Sequence, residues 1–287
     1  MRLYYILSSG RSGSTILETL MNSSKEVFTL GEFHLLFLES DLNAKCGCGD
    51  YLNNDIIWSD IIKKFSSSRI LFSKYRKTFS SKTGHYGKVI RINKLFQILF
   101  NLNTSESLGY SELNYKILIH LNDKLKDNKS YVDSSKDVYR FYDLYKSNLF
   151  DIYPIHLYKC SQSFVYSMIK SSKGPLRWFL LIRFSLRWLI ENTLIKLILR
   201  KTKNKLVISY GELIENYSEV ITSMYKKFDV CHSGKFTLYT QINHGIAGNI
   251  SRNQSREIFI DDKYKYGLSH LEKQLITMLT FNLKSFK

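Results

Sequence analysis

The sequence predicts an α/β fold: a central parallel sheet flanked on both faces by helices, with a helical insertion. Short apolar segments recur along the chain, stretches with helical spacing separate them, and no Pro/Gly/Ser linker divides the alternation into parts. Strand alternating with helix builds parallel β-α-β units, whose sheet is covered on both sides.

The first strand is expected at residues 3–8, Leu-Tyr-Tyr-Ile-Leu-Ser, and the first helix at Thr15–Met21. Val27–Leu30 reads as the second strand. Residues 59–127 lack strong strand signals and carry helical spacing in Leu95-Phe96-Ile98-Leu99 and Leu113–Leu125, so they read as a largely helical insertion within a single domain spanning 1–287. Tyr131–Asp133, Ile152–Tyr158 and Leu206–Ser209 supply three further strands, with helices at Ser161–Lys170 and Ser218–Phe228. In 178–199, Arg183, Arg187 and Glu191 recur at i, i+4 and i+8, which predicts a long amphipathic helix packed on the sheet with Arg187 and Glu191 paired. Those charges leave no 20-residue apolar run, so a membrane span is excluded. Peripheral contact of this helix with a membrane surface is the alternative.

Composition bounds the function more loosely. The chain has 287 residues, 44% of them hydrophobic, which supports a sizeable core and excludes intrinsic disorder. With 42 Lys+Arg against 25 Asp+Glu the formal net charge is +17, which suits a nucleotide, a nucleic acid or a membrane surface, and equally a face of solvated lysines. RRM and zinc-finger patterns are missing, so nucleic acid is not an expected partner. The 4 cysteines do not make a disulfide framework in a chain this long, and the apolar start is too short for a signal peptide. A cytoplasmic location is therefore expected.

Residues 8–15, Ser-Ser-Gly-Arg-Ser-Gly-Ser-Thr, stand between the first strand and the first helix. A Gly-rich turn there lets backbone N–H groups and the helix N-terminus converge on an anion. A nucleoside-triphosphate loop would read GxxxxGK[ST], with Lys on the phosphates and the hydroxyl on Mg²⁺. Here no Lys precedes Ser14, and Arg11 lies inside the loop. The chemistry read from this is an anion held by a guanidinium without an obligatory metal.

Arg11-Ser12-Gly13-Ser14-Thr15 resembles, position by position, the RSG[ST]T loop of sulfotransferases that use 3′-phosphoadenosine-5′-phosphosulfate (PAPS), above all their bacterial carbohydrate-type and tyrosylprotein-type branches. The resemblance continues through Gly31-Glu32, Asp133-Ser134-Ser135-Lys136, Tyr210-Gly211-Glu212-Leu213 and the HxxxGNxxR pattern from His244 to Arg252. It implies a three-layer P-loop-NTPase-like fold and PAPS as donor, with 3′-phosphoadenosine-5′-phosphate (PAP) as product and no metal required. By the same resemblance Arg11, Ser12, Gly13, Ser14 and Thr15 grip the 5′-phosphosulfate, and Glu32 is the general base, with His34 the alternative. Lys136 then stabilises the departing phosphate. Lys159 and Ser167 keep the spacing of an Arg and a Ser that bind the 3′-phosphate, although the family's Arg-Asp-Pro reads Lys159-Cys160-Ser161 here. The resemblance also implies that Gly248, Asn249 and Arg252 belong to a loop that closes over the nucleotide and sends Arg252 to the 3′-phosphate.

Cys46-Gly47-Cys48-Gly49, with Asp55 and Trp58 beyond it, resembles a CxCG…CxxW segment of bacterial members, with Asp55 in the place of the third Cys. A C-x-C pair alone cannot close a tetrahedral zinc site and no second pair lies nearby, so the segment reads as structural. The acceptor implied by the resemblance is a hydroxyl of a carbohydrate or glycolipid, recognised through 59–127. Two other readings stay open: a P-loop small-molecule kinase, and a catalytically impaired sulfotransferase-like protein that binds a polyanion or membrane through its basic face. Oligomeric state is not legible.

Overall fold

The computed structural model describes residues 1–72, 92–126, 129–230, 243–247 and 262–280. Among them a five-stranded parallel sheet is built from β1 (Arg2–Leu7), β2 (Val27–Gly31), β3 (Ser130–Lys136), β4 (Asp151–Tyr158) and β5 (Leu206–Ser209). The strand order is β2-β3-β1-β4-β5, so β1 sits in the middle. These are the five strands expected from the sequence. Each leaves the sheet at the same edge, because all run parallel.

The two-residue period of a strand covered on both faces explains why β1 is apolar from Leu3 to Leu7. Leu3, Tyr5 and Leu7 join one core, while Tyr4 and Ile6 join the other. On the second face the helices Ser14–Met21 and Tyr217–Phe228 contribute Leu17, Leu20, Met21, Ile221, Met224 and Phe228. Phe33, Trp58, Tyr110, Ile117 and Phe141 fill the first face. Between β2 and β3 the described residues include helices Leu36–Asp41, Trp58–Lys64, Ile92–Leu99 and Ser105–Leu125; residues 73–91 are outside the described set.

The long helix runs from Gly174 to Arg200, several residues earlier than the charge pattern suggests. Pro175 opens it, where a missing N–H costs nothing. Arg187 and Glu191 pair at 2.9 Å as their spacing predicts. The buried face carries Leu181, Phe184, Trp188, Asn192 and Ile195. Asn192 joins it to the sheet by bonding His156 of β4 at 3.0 Å. No helix among the described residues is long and apolar enough to cross a membrane.

Candidate active site

In a parallel sheet the crevice outside the carboxyl ends of the strands is where ligands bind. Here each strand delivers one element of the expected site to that edge. The loop Ser8–Gly13 follows β1, Glu32 follows β2, Lys136 closes β3, Lys159 follows β4 and Tyr210 follows β5. A continuous series of contacts links them.

Glu32 and Lys136 form its centre. Lys136 Nζ donates to Glu32 Oε1 at 2.8 Å and to Ser14 Oγ at 3.5 Å, so it bridges the carboxylate and the anion loop. Backbone geometry aims both side chains. The pairing of β1 with β3 slips between Tyr5 and Leu7, opposite Asp133 to Lys136, and that of β2 with β3 slips between Thr29 and Gly31. Such irregularities re-aim a strand end, and Lys136 is held at φ 64° and Gly31 at φ 72°. At Gly31 glycine is also demanded by space, because a Cβ there would lie 2.2 Å from the Ile246 carbonyl oxygen.

Every residue of Asp133-Ser134-Ser135-Lys136 has a task. Asp133 pairs with the buried Arg140 at 2.9 Å, and its other oxygen accepts the Ser135 N–H at 2.9 Å. Arg140 is fixed in turn by Tyr110 at 2.9 Å and Asn114 at 2.8 Å. Burial alone would lower the pKa of Arg140; Asp133 and the nearby tyrosines outweigh it and leave the guanidinium firmly charged. Ser134 Oγ donates to Glu18 Oε2 at 2.8 Å inside the first helix. Ser135 Oγ accepts from the His34 N–H at 3.4 Å. The motif therefore locks β3 to the first helix, and Lys136 inherits that rigidity.

The loop after β1 has the features of an open cradle. Gly13, at φ 86°, precedes the first helix without any side-chain cap, so the N–H groups of the first turn lack side-chain acceptors. Ser12 Oγ is buried with no hydrogen-bond partner among the described residues. Such an orphan hydroxyl calls for a ligand atom. Ser14 is buried, Thr15 is half-buried, and Arg11 is exposed at φ 57° on the loop.

Lys159 approaches from the other side. Its chain is buried and its ammonium lies 4.6 Å from the centre of the Tyr210 ring, a cation–π distance. The same ring stands against Gly13, where an added Cβ would come within 2.7 Å of it. Trp188 Nε1 donates to the Lys159 carbonyl at 2.9 Å and Asn192 reaches Ser9 Oγ at 3.5 Å, so the long helix braces both β4 and the loop. His156 is kept neutral by burial, which lowers its pKa to about 4. Ser167 donates its hydroxyl to Phe164 O at 2.6 Å and makes no described contact with Lys159. Gly248, Asn249 and Arg252 lie outside the described residues.

His34 is buried beside Ser135 and borders a cavity of about 190 Å³ lined by Phe37, Leu38, Asp41, Arg69, Ile70 and Phe72. Glu32, not His34, faces Lys136.

Sequence reasoning passed over several contributors. Tyr210 was matched to a strand end without a task, and Glu18 and Arg140 carry no motif of their own. The spacing offers Cys46 and Cys48 no second pair of cysteines, and the fold brings other side chains of ligand type to them. Asp55 and His244, 189 residues apart, meet at 2.8 Å and both cysteines join them. Burial pushes the Asp55 carboxyl up, but the bonds from His244, Cys46, Cys48 and the Trp58 backbone overcome it and hold it below the usual range.

No family model and no curated protein matches this chain. Solved structures do. The sulfotransferase domain of the Synechococcus PCC 7002 olefin synthase superposes with TM-score 0.58 at 17% identity, over 99% of this chain and 96% of that one. The sulfotransferase domain from the curacin biosynthetic pathway gives TM-score 0.55 at 16% identity, covering 96% of each. The described residues thus share the fold of those domains.

Proposed function

We propose that this protein is a PAPS-dependent sulfotransferase that moves a sulfuryl group to a hydroxyl. The observation that carries the reading is the contact series from Glu32 through Lys136 and Ser14 to Gly13, Tyr210 and Lys159, one member from each strand end. The residues fit such a donor: an uncapped helix N-terminus and an orphan Ser12 hydroxyl for the 5′-phosphosulfate, and the Lys159 ammonium for a second phosphate.

Sulfuryl transfer, like phosphoryl transfer, asks little covalent work of the protein and much positioning and charge stabilisation. Glu32, held by Lys136 at 2.8 Å, accepts the acceptor's hydroxyl proton as the new O–S bond forms. On the opposite side the S–O bond to the 5′-phosphate breaks, and charge grows on the bridging oxygen. Lys136 donates to that oxygen, shifting from Glu32 as the carboxylate takes its proton. The first-turn N–H groups and Arg11 hold the remaining oxygens. A carbohydrate or glycolipid hydroxyl is the acceptor we propose, supported by the likeness of the loop to the carbohydrate branch, with the helices between β2 and β3 as its binding wall.

A nucleoside-triphosphate kinase is disfavoured by the residues of the loop. Set against the G-K-[ST] of such loops, Gly13-Ser14-Thr15 carries Ser14 in the place of the phosphate-binding Lys.

Calorimetric titration with PAP and with AMP tests the reading. PAP is expected to bind without Mg²⁺ and more tightly than AMP; equal binding of the two, or none, sinks it.

A further inference from the structure

We propose that Cys46, Cys48, Asp55 and His244 form a closed binding site for a zinc-class divalent metal ion, which fastens residues 243–247 to the strand end that carries Glu32. The site stands on its own geometry and does not depend on the transferase reading.

Four side chains of metal-ligating type converge, with their ligand atoms all within 4.8 Å of one another. Cys46 Sγ, Cys48 Sγ and His244 Nδ1 lie 3.0, 3.1 and 2.8 Å from a single atom, Asp55 Oδ2. A carboxylate oxygen offers only two lone pairs, so three donors oversubscribe it. Asp55 Oδ1 is already engaged by the backbone N–H groups of Ile57 at 2.8 Å and Trp58 at 3.0 Å, which aims Oδ2 at the cluster. One cation in the middle replaces the competing protons.

The dimensions fit. With metal–sulfur bonds of about 2.3 Å and metal–nitrogen or –oxygen bonds of about 2.0–2.2 Å, the edges of a tetrahedron run about 3.3–3.8 Å. The contacts to Oδ2 reach that by opening about half an ångström. Two thiolates select a soft or borderline ion over Mg²⁺ or Ca²⁺. Binding displaces both thiol protons to solvent, and His244 coordinates as neutral imidazole through Nδ1. Cys46 and Asp55 are buried, and all four positions are protein ligands, the pattern of a structural site.

What the ion would hold is specific. The Trp58 ring N–H donates to the His244 carbonyl at 2.6 Å, and Gly47 N–H donates to Gly245 O at 3.0 Å. Ile246 then bonds both sides of Gly31: its N–H to Leu30 O at 2.9 Å, and its carbonyl from Glu32 N–H at 2.8 Å. The metal therefore closes a staple at His244, two residues before the Ile246 backbone that orients Glu32.

The test is metal analysis of the full chain, expressed with zinc supplied and purified under reducing conditions without chelator. About one zinc per chain is expected. Metal-stripped protein titrated with Co²⁺ should show the thiolate-to-cobalt charge-transfer band and tetrahedral d–d bands, both erased by Zn²⁺. Cys46→Ser and Cys48→Ser should abolish them, while Cys160→Ser, outside the cluster, keeps them. Should the serine variants fail to fold, the wild-type chain still decides, since a chelator should lower its Tm and added Zn²⁺ restore it. Absence of bound zinc together with no cobalt band, a Cys46–Cys48 disulfide in the purified protein, or cobalt bands that persist in folded Cys46→Ser would each overturn the proposal.

Discussion

Lys136 and Glu32, 104 residues apart in the chain, meet at 2.8 Å at the ends of adjacent parallel strands. Neither side chain leaves its strand by ordinary pleating. Lys136 takes a left-handed backbone and Glu32 follows a glycine at φ 72°, so two irregular strand ends turn toward each other. Strain of this kind persists only where surrounding structure over-determines it, and the Asp133–Arg140 and Ser134–Glu18 contacts supply that constraint.

Glu32→Gln keeps the size of the side chain and removes its capacity to take a proton. Turnover should fall by about 10²–10⁴ with PAP affinity unchanged. Single-turnover assays with labelled PAPS, alongside calorimetry, read the two separately; undiminished turnover removes Glu32 from the role of base.

Lys136→Ala deletes the donor that bridges carboxylate and loop. A loss of about 10²–10³ in kcat is expected, by comparison with oxyanion donors. If KM for PAPS rises while kcat holds, Lys136 serves ground-state binding only.

Lys159→Ala should weaken PAP by about tenfold to hundredfold, the worth of a charge-assisted hydrogen bond, and leave AMP binding nearly untouched. Equal weakening of both ligands would assign Lys159 to the loop or the 5′ end instead.

Asp133→Ala leaves Arg140, 1% exposed, with an uncompensated buried charge. Breaking a buried pair in this way costs about 3–5 kcal/mol. Urea unfolding measures it, and a loss below about 1 kcal/mol would mean that Arg140 finds another partner or solvent.

His156 makes folding sensitive to acid. Its pKa is about 4 in the folded chain, lowered by burial from the ordinary 6.5. Between those values the unfolded chain binds a proton that the folded chain refuses, so stability is full above the unfolded pKa and falls as pH drops toward 4. The whole window is worth about 3 kcal/mol at 1.36 kcal/mol per unit. Between pH 7 and pH 5, which crosses about 1.5 pH units of that window, unfolding should weaken by about 2 kcal/mol, and His156→Gln should flatten that part of the profile; an unchanged slope assigns it to other groups.

Most of the framework was legible in the chain itself. The five strands announce themselves as apolar runs because a doubly covered parallel sheet buries both faces, so tertiary context and local pattern agree. The strand-loop-helix placement of Arg11 to Thr15 was legible because it lies in one contiguous stretch of residues. Arg187 and Glu191 are one helical turn apart, which is why spacing alone paired them. Ser167 marks the opposite case, since spacing of eight from Lys159 was kept while its described hydrogen bond goes to its own helix.

By itself, the sequence determined the α/β alternation, the Gly/Ser loop between the first strand and the first helix, and the positions of the candidate carboxylate and lysines, because those properties depend on residues close together along the chain. Only the tertiary structure decided which of them meet. That Lys136 faces Glu32, that Tyr210 stands between Gly13 and Lys159, and that His244 completes a cluster with Cys46, Cys48 and Asp55 all depend on strand order and register. Those are set by packing between segments distant along the chain, where no local periodicity carries the information.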